Sequence, residues 1–339
     1  MKPVQAFTCV PRIRRARIFA MLGALALGTA GCAQRAAETP PVPNDLRVYG
    51  NPTIELTPAH YAIVHFSAAQ ASASHGGIPN LFKGPDGGEA DLAGHAEIQA
   101  LQNSLVHPDI RIILTITEGH YRIVAKRSAG ILSMADLRGK KVATAKASSA
   151  AFYLLRALET AGMTDGNVKI VGIAMPPKGI AQMLLDGRAD AVALWDPEPQ
   201  IAIERLGDDA VILDPDTGYR ELYNLNTTAA KLADPVSRAK IVRFIAKLIE
   251  ASEAMGKDPA SAITLAAKGT GYPAELIRAS WPHHVFPAAL SPDLLDTLVA
   301  EEAWLASHAG RPARTREELA VLIDPTIEAE ARAWLRKNR

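Results

Sequence analysis

Residues 140–162, KKVATAKASSAAFYLLRALETAG, indicate the fold class most directly. The first five of them follow a turn at Gly139 and predict a short strand. Ser148 and Ser149 are good N-cap residues and predict the start of a helix, which Gly162 would end. The helix carries an apolar side chain at every third position: Phe152, Leu155 and Leu158. A strand that leads into an amphipathic helix is the repeating unit of an α/β fold.

The same alternation continues outward from this unit. Downstream, apolar runs predict strands at residues 168–173, 189–194 and 210–213, with a helix at 180–185. Upstream, strands are predicted at residues 46–49, 111–117 and 121–126. Almost continuously apolar strands are typical of a largely parallel sheet that is covered on both faces. After residue 226 the pattern becomes helical, with candidate helices at 236–255, 259–268, 273–279, 293–308 and 317–322.

The first 31 residues predict an export signal. Five basic residues and no acidic residue precede an uncharged run of 14 residues, 18–31. This run is too short to span a bilayer, which takes roughly 20 residues, but it suits the core of a signal peptide. Its end, TAGC at residues 29–32, has small residues before a cysteine that a lipid can modify. We predict a lipoprotein signal with Cys32 as the lipidated residue; the alternatives are an ordinary signal and, less well matched, a twin-arginine signal.

The cysteine and charge content exclude several classes of function. Cys9 and Cys32 are the only cysteines, so the chain beyond residue 32 can form no disulfide and no Cys-based metal site. Without the five basic residues of the signal, 32 basic and 36 acidic residues remain. Because no basic stripe is present, a nucleic-acid partner is not expected.

The residues after the signal divide into a linker and a large body. Residues 33–45 (AQRAAETPPVPND) are rich in Pro, Ala and charge and lack apolar periodicity. They predict a flexible tether at 32–45, with contact to the membrane through the lipid alone. The body that follows has about 300 residues, which exceeds one comfortable hydrophobic core and predicts two lobes.

Four short motifs occur in a fixed order in the middle of the chain. They are DLRGKKVA (136–143), SSA (148–150), LDGRADA (185–191) and WDPEP (195–199). Together they resemble the sulfonate, nitrate and taurine family of ABC-importer solute-binding proteins, which includes binders of thiamine-pyrimidine precursors. The resemblance is best over residues 111–204. Residues 65–90, rich in Gly, Ala and Ser, depart from the family where it builds one wall of the ligand cleft.

The resemblance implies the two-lobed α/β fold of type II periplasmic binding proteins, with a hinge between the lobes. The chain would cross between the lobes near residues 128–133 and 223–227. Lobe 1 would then comprise residues 46–130 and 226–339, and lobe 2 residues 131–225. Such clamps bind a solute at the lobe interface and close over it by hinge motion.

In lobe 2, two pairs of residues are candidate ligand contacts. Ser148 and Ser149 stand at a helix start, whose unpaired N–H groups and dipole favour an anion; the alternative is simple capping. Trp195 and Glu198 follow a buried strand, and ligands of open α/β sheets bind beyond the carboxyl ends of the strands. Their alternatives are a core tryptophan and a solvated carboxylate.

In lobe 1, the family positions place five residues near the cleft. These candidate ligand contacts are Thr57, His60, Tyr61, His95 and Glu97. A lone histidine is more often a hydrogen-bonded structural residue, so that alternative stays open.

The remaining histidines and acidic residues do not predict a metal site. His107, Asp109, Glu118 and His120 match no standard metal-ligand spacing, and His283 and His284 are adjacent, so that their side chains point apart. We therefore predict no metal site and no cofactor.

These observations predict a monomeric lipoprotein of the periplasm or cell surface. It would capture a small organic solute (a sulfonate, an organic acid or a heteroaromatic compound) and deliver it to an ABC permease and its ATPase. A sensory ligand-binding protein is one alternative. A pyrimidine-synthase-like enzyme is another, disfavoured because the cysteine-rich segment, a GxSxG elbow, a P-loop and a GxGxxG motif are all missing. No catalytic residue is therefore expected.

Overall fold

A computed structural model describes residues 46–66, 71–82, 90–174, 177 and 179–338. The predicted signal at 1–31, the tether at 32–45 and Cys32 lie outside these residues.

The described strands form two separate sheets. In chain order they are β1 Leu46–Tyr49, β2 Ala71–Ser74, β3 Leu92–Ala96, β4 Ile110–Gly119, β5 Arg122–Lys126, β6 Lys141–Thr144, β7 Lys169–Gly172, β8 Ala191–Leu194, β9 Ala210–Leu213, β10 Glu221–Thr228 and β11 His284–Val285. The first sheet has six strands in the order β11-β4-β10-β3-β1-β2. The second has five strands in the order β7-β6-β8-β5-β9.

Helices cover both sheets. They are α1 Thr57–His65, α2 Glu97–Ser104, α3 Ser149–Glu159, α4 Ile180–Leu185, α5 Glu198–Leu206, α6 Ala229–Ala233, α7 Pro235–Lys257, α8 Pro259–Thr270, α9 Ala274–Ser280, α10 Leu294–Ala309, α11 Arg316–Ala320 and α12 Thr326–Asn338. One core packs α1, α7 and α12 on the first sheet, and a second packs α3, α4 and α5 on the second sheet. Among the described helices, including the 23-residue α7, none combines the length and apolar character that crossing a membrane requires.

The prediction of a largely parallel sheet is wrong. Among the described strands, parallel pairing is confined to β1 with β2 and β3, and to β6 with β7 and β8. β10 pairs antiparallel with β3 and β4, and β5 pairs antiparallel with β8 and β9. The reason is topological: β5 and β10 enter their sheets from the other sheet, so they run against the strands of the βα units.

The chain changes sheet at two connections. Residues 120–121 join β4 of the first sheet to β5 of the second, and residues 214–220 join β9 of the second sheet to β10 of the first. We call these two connections the crossing segments. They precede the crossings predicted at 128–133 and 223–227. The lobe boundaries at 130 and 225 stay predictions, and we propose the hinge at the crossing segments.

β10 could not be predicted as a strand because its composition is polar. Its residues, ELYNLNTT, are all buried at the centre of the first sheet. Thr115 donates a hydrogen bond to Asn224 Oδ1 at 2.7 Å, and Asn226 Nδ2 donates to the Ala93 carbonyl at 3.1 Å. Hydrogen bonds of this kind offset part of the desolvation cost of burial, so a polar strand can occupy the sheet centre.

Candidate functional site

The candidate site lies at the crossing segments. Tyr121 belongs to one segment and Tyr219 to the other, and their ring centroids are 6.4 Å apart. A cavity of about 210 Å³ lies beside them and is lined by His120, Tyr121, Tyr153 and residues 214–220. Because the chain passes between the two sheets here, a molecule in this cavity contacts the backbone that connects them.

Aromatic side chains from several elements surround Tyr121 and Tyr219. The Tyr121 ring centroid lies 5.7 Å from Tyr153 and 6.1 Å from Trp195. Phe152 lies 5.1 Å from Tyr219 and 5.6 Å from Trp304. We call this set of six rings the aromatic wall. Its members Tyr121, Tyr153 and Tyr219 line the cavity, where aromatic rings can stack against a flat or apolar solute.

Two buried glutamates meet at the Tyr219 hydroxyl. Tyr219 donates a hydrogen bond to Glu97 Oε1 at 2.6 Å, and its oxygen lies 3.1 Å from Glu301 Oε1. The Leu222 N–H donates to Glu97 Oε2 at 3.0 Å. Glu97 is the first residue of α2 and Glu301 lies in the middle of α10, so this contact joins two helices on the first sheet.

The pKa of both carboxyl groups is raised. Burial raises the pKa of Glu301 well above its usual range, and the charge of Glu97 beside it adds to the rise. Burial also raises the pKa of Glu97, although hydrogen bonds from Glu301 and Tyr219 oppose the shift. Two carboxyl groups this close cannot both ionise cheaply, so they titrate as a pair.

Glu55 and Glu221 extend this acidic region toward β11. Burial raises the pKa of Glu221 well above its usual range, and the charges of Glu55 and Glu97 add to the effect. Glu55 Oε1 lies 3.6 Å from Nε2 of the buried His284. Burial alone would lower the pKa of His284, but the hydrogen bond and charge of Glu55 raise it. We call Glu55, Glu97, Glu221 and Glu301 the carboxyl cluster.

Of the candidates in lobe 2, Ser148 acts as a helix cap. Its Oγ accepts a hydrogen bond from the Ala150 N–H at 3.2 Å and donates to the Ala145 carbonyl at 2.6 Å. Ser149 is buried and its Oγ lies 2.8 Å from the Tyr121 hydroxyl. Ser149 therefore contacts Tyr121 of the candidate site, and Ser148 caps the helix that carries Ser149.

Trp195 and Glu198 both follow β8, but they face different surroundings. Trp195 is half-buried and joins the aromatic wall through Tyr121. Glu198 is buried and accepts hydrogen bonds from the Tyr272 hydroxyl at 2.7 Å and the Ile180 N–H at 3.3 Å. These bonds tie α5 to α4 and to the connection after α8.

Of the lobe 1 candidates, His95 lies near the end of β3 and Glu97 is two residues further on, at the start of α2. Glu97 belongs to the carboxyl cluster. The His95 ring lies 6.3 Å from that of Tyr223, and burial lowers its pKa to about 4, so it is neutral at physiological pH.

The three candidates in α1 have other contacts. Tyr61 packs against His65 and Phe66 in the core of the first sheet. His60 lies beside Gly269 of α8, and burial lowers its pKa. Thr57 is buried at the start of α1.

Sequence reasoning missed most of the residues that build the site: Tyr121, Tyr153, Tyr219, Glu55, Glu221 and Glu301. A signal did exist for Glu301. The apolar residues Leu294, Leu298 and Leu305 repeat at helical spacing, and Glu301 occupies the position between the last two on the same buried face. A carboxyl group on the apolar face of a helix indicates a function or a buried partner.

Contacts also join residues around the first sheet to residues around the second sheet. The side chain of Asp196 is fully buried between Arg122 and His283, whose Nδ1 lies 2.8 Å from Asp196 Oδ2. Asp165 Oδ2 lies 2.8 Å from His308 Nε2. Gln102 donates to the Ala147 carbonyl at 2.8 Å. These contacts join the two sheets' layers around the site.

The described residues contain no group of three or more His, Cys, Asp or Glu that could hold a metal ion.

The two mixed sheets, joined by two crossing segments, define the two-lobed fold of periplasmic binding proteins, as the solved structures below show. The predicted fold class is confirmed. A family model described as NMT1/THI5 like matches residues 86–262, and the chain belongs to that family. The resemblance carried by the four motifs is confirmed as well.

One relative in Escherichia coli (strain K12) is named as an aliphatic sulfonates-binding protein. It is 30% identical over 170 residues, which cover 50% of this chain and 51% of the relative. The match therefore spans about half the length of that protein.

Two solved structures illustrate the range of proteins that share the fold. The periplasmic aliphatic sulphonate binding protein SsuA from Escherichia coli matches with a TM-score of 0.68 at 19% identity, over 84% of this chain and 93% of SsuA. The desulfurization enzyme DSZB matches with a TM-score of 0.60 at 14% identity, over 87% of this chain and all of DSZB. The fold thus carries both binding proteins and an enzyme.

Proposed function

We propose that the protein is the solute-binding component of an ABC importer. It captures a small organic solute between its lobes and delivers it to a permease and an ATPase. The observation that carries this proposal is the convergence of the aromatic wall, the carboxyl cluster and the start of α3 at the crossing segments. The family membership and the sulfonate-binding relative support the same function.

The site residues of this proposal divide into direct contacts and supports. Trp195 and Tyr121 stack on the solute, while Glu97 and Ser149 bind its polar groups. Ser148, Glu198, Thr57, His60, Tyr61 and His95 position the elements around them. Closure follows rotation at the crossing segments, because bending is concentrated where few residues connect two compact cores.

The enzyme alternative is tested together with binding. The purified protein is screened against small organic solutes by thermal shift, and calorimetry of each hit should give one site per chain. Mass spectrometry after prolonged incubation should return the solute unchanged. A product that accumulates with turnover would favour an enzyme, as in DSZB. A chain that responds to no solute in a broad set would contradict the binding function.

The proposed location is the periplasm or the cell surface, with the protein held by a lipid on Cys32 as a monomer. The basic start, the short apolar run and the TAGC sequence support this anchor. Cys32→Ala should move the protein from the membrane fraction to the soluble fraction after cell lysis. Cys9→Ala, which leaves the TAGC sequence intact, is the matched control. An alanine variant that stays in the membrane fraction would contradict lipidation at Cys32.

A further inference from the structure

We infer that the WDPEP segment (residues 195–199) holds the lobes of the proposed clamp closed, through two buried contacts with residues around the first sheet. Its Glu198 contacts Tyr272, and its Asp196 contacts His283. Tyr272 and His283 are therefore positioning residues for closure, and we call these two contacts the interlobe clasp. The inference rests on the proposed binding function, because a clasp has a role only in a clamp that opens and closes.

The first contact is the hydrogen bond between Tyr272 and Glu198. Glu198 is the first residue of α5, which packs on the second sheet. Tyr272 lies between α8 and α9 and packs against an apolar cluster that contains Ile54, which follows β1 of the first sheet. The Tyr272 hydroxyl donates to Glu198 Oε1 at 2.7 Å. Burial and this hydrogen bond raise the pKa of Tyr272, so the hydroxyl keeps its proton and acts as the donor.

The second contact places a histidine of one lobe against a buried carboxylate of the other. Asp196 follows β8, its side chain is fully buried, and it is paired with Arg122 of the same sheet. His283 directly precedes β11 of the first sheet, and its Nδ1 lies 2.8 Å from Asp196 Oδ2. Burial alone would raise the pKa of Asp196, but the contacts with His283 and Arg122 lower it, so the carboxylate is charged. Opening the lobes would take His283 away from this charge, and the loss of one partner of a buried charge is strongly unfavourable.

The ion pair between Asp165 and His308 also bridges the lobes, but it is exposed. The two side chains are 44% and 50% exposed. Water and salt screen exposed ion pairs, which therefore add little stability. Because Asp196 and Glu198 are each only 2% exposed, burial assigns closure to the interlobe clasp.

A buried cysteine can report how often the lobes open. Ser149 is 2% exposed at the start of α3, beside Tyr121 of a crossing segment. Ser149→Cys is introduced together with Cys9→Ala and Cys32→Ala, so that the chain carries one thiol. Iodoacetamide alkylates this thiol when the lobes are apart, and the alkylation rate without added solute measures the open fraction.

Tyr272→Phe combined with His283→Phe removes the polar atoms that the first-sheet side contributes to the interlobe clasp and keeps an aromatic ring at both positions. This double variant should be alkylated about tenfold faster or more, because a hydrogen bond to a charged group is lost and the open fraction rises. X-ray scattering in solution should show a larger radius of gyration than in the parent protein. Asp165→Asn, which breaks the exposed ion pair, should accelerate alkylation less.

Glu159→Cys in place of Ser149→Cys is the matched control. It lies at the exposed end of the same helix and should be alkylated at one rate with and without the interlobe clasp. Circular dichroism checks the fold, and Tyr272→Phe alone replaces the double variant if the latter does not fold.

Equal alkylation rates at position 149, or an unchanged radius of gyration, would overturn the inference. An effect of Asp165→Asn as large as that of the double variant would overturn it too. Because the experiment contains no solute, these results leave the importer function standing, and that function fails separately if no solute binds.

Discussion

Replacing Glu302 by alanine should lower the free energy of unfolding by about 3 kcal/mol, near the lower end of the cost of breaking a buried ion pair. The Glu302 carboxylate is fully buried and accepts hydrogen bonds from Arg311 Nη1 at 2.6 Å and from the Arg314 backbone N–H at 2.9 Å. The two arginines keep 25% and 20% of their side chains exposed, so water compensates part of the loss. Urea denaturation at pH 7 measures the difference.

The same carboxylate should make the protein sensitive to acid. Burial alone would raise the pKa of Glu302, but the hydrogen bonds from Arg311 and Arg314 hold it at about 2. Because this pKa lies below that of the unfolded chain, the stabilisation is present above about pH 4.3 and is lost as the pH falls toward 2. Glu302→Gln, which keeps the shape, should lose less stability than Glu302→Ala. Alanine and wild-type curves that agree within about 0.5 kcal/mol would contradict the assignment.

Replacing the preceding residue, Glu301, by glutamine should have the opposite effect. Burial raises the pKa of Glu301 in the folded state, so the folded protein retains a proton that the unfolded chain releases. The contribution of Glu301 to the free energy of unfolding of the wild type therefore falls by about 1.4 kcal/mol per pH unit as the pH rises above about 4.3. This decrease stops when the pH passes the pKa of Glu301 in the folded protein. Glutamine is neutral throughout and can donate to Glu97 as the protonated acid does, so the variant should gain stability over wild type.

The gain of Glu301→Gln should grow as the pH rises above about 4.3, the pKa of glutamate in the unfolded chain, in urea denaturation at a series of pH values. Glu159→Gln, at an exposed position, should follow the wild-type curve over the same range. A glutamine variant with the wild-type pH slope would show that Glu301 is ionised in the folded protein. Residues that serve binding are often unfavourable for stability. On the proposed binding function, a gain in stability from Glu301→Gln agrees with this trade-off.

Much of the secondary structure could be predicted from local patterns. Strands 46–49 and 210–213 appear with the same bounds in the structure, and the predicted helix at 236–255 is the core of α7. α7 follows Asp234, whose side chain accepts from the Ser237 N–H, and Pro235 at its first position. These signals are readable because capping and helical periodicity depend on residues only three or four positions apart.

The central strand of the first sheet could not be predicted in this way. In β10, Asn224 and Asn226 are acceptable only because Thr115 and Ala93, more than 100 positions away, supply hydrogen-bond partners. The sheet to which each strand belongs could not be predicted either. β4 and β5 look alike in sequence, but the two residues between them carry the chain from one sheet to the other.

The site shows the same division between local and distant information. Short motifs were enough to predict the α3 start at Ser148, the end of β8 at Trp195, the family and a two-lobed α/β fold. The grouping of Glu55, Glu97, Glu221 and Glu301 in one cluster is visible in the folded protein alone, since they come from four separate elements. Burial and mutual charge, which give these carboxyl groups their chemistry, are properties of that assembly and not of any one segment.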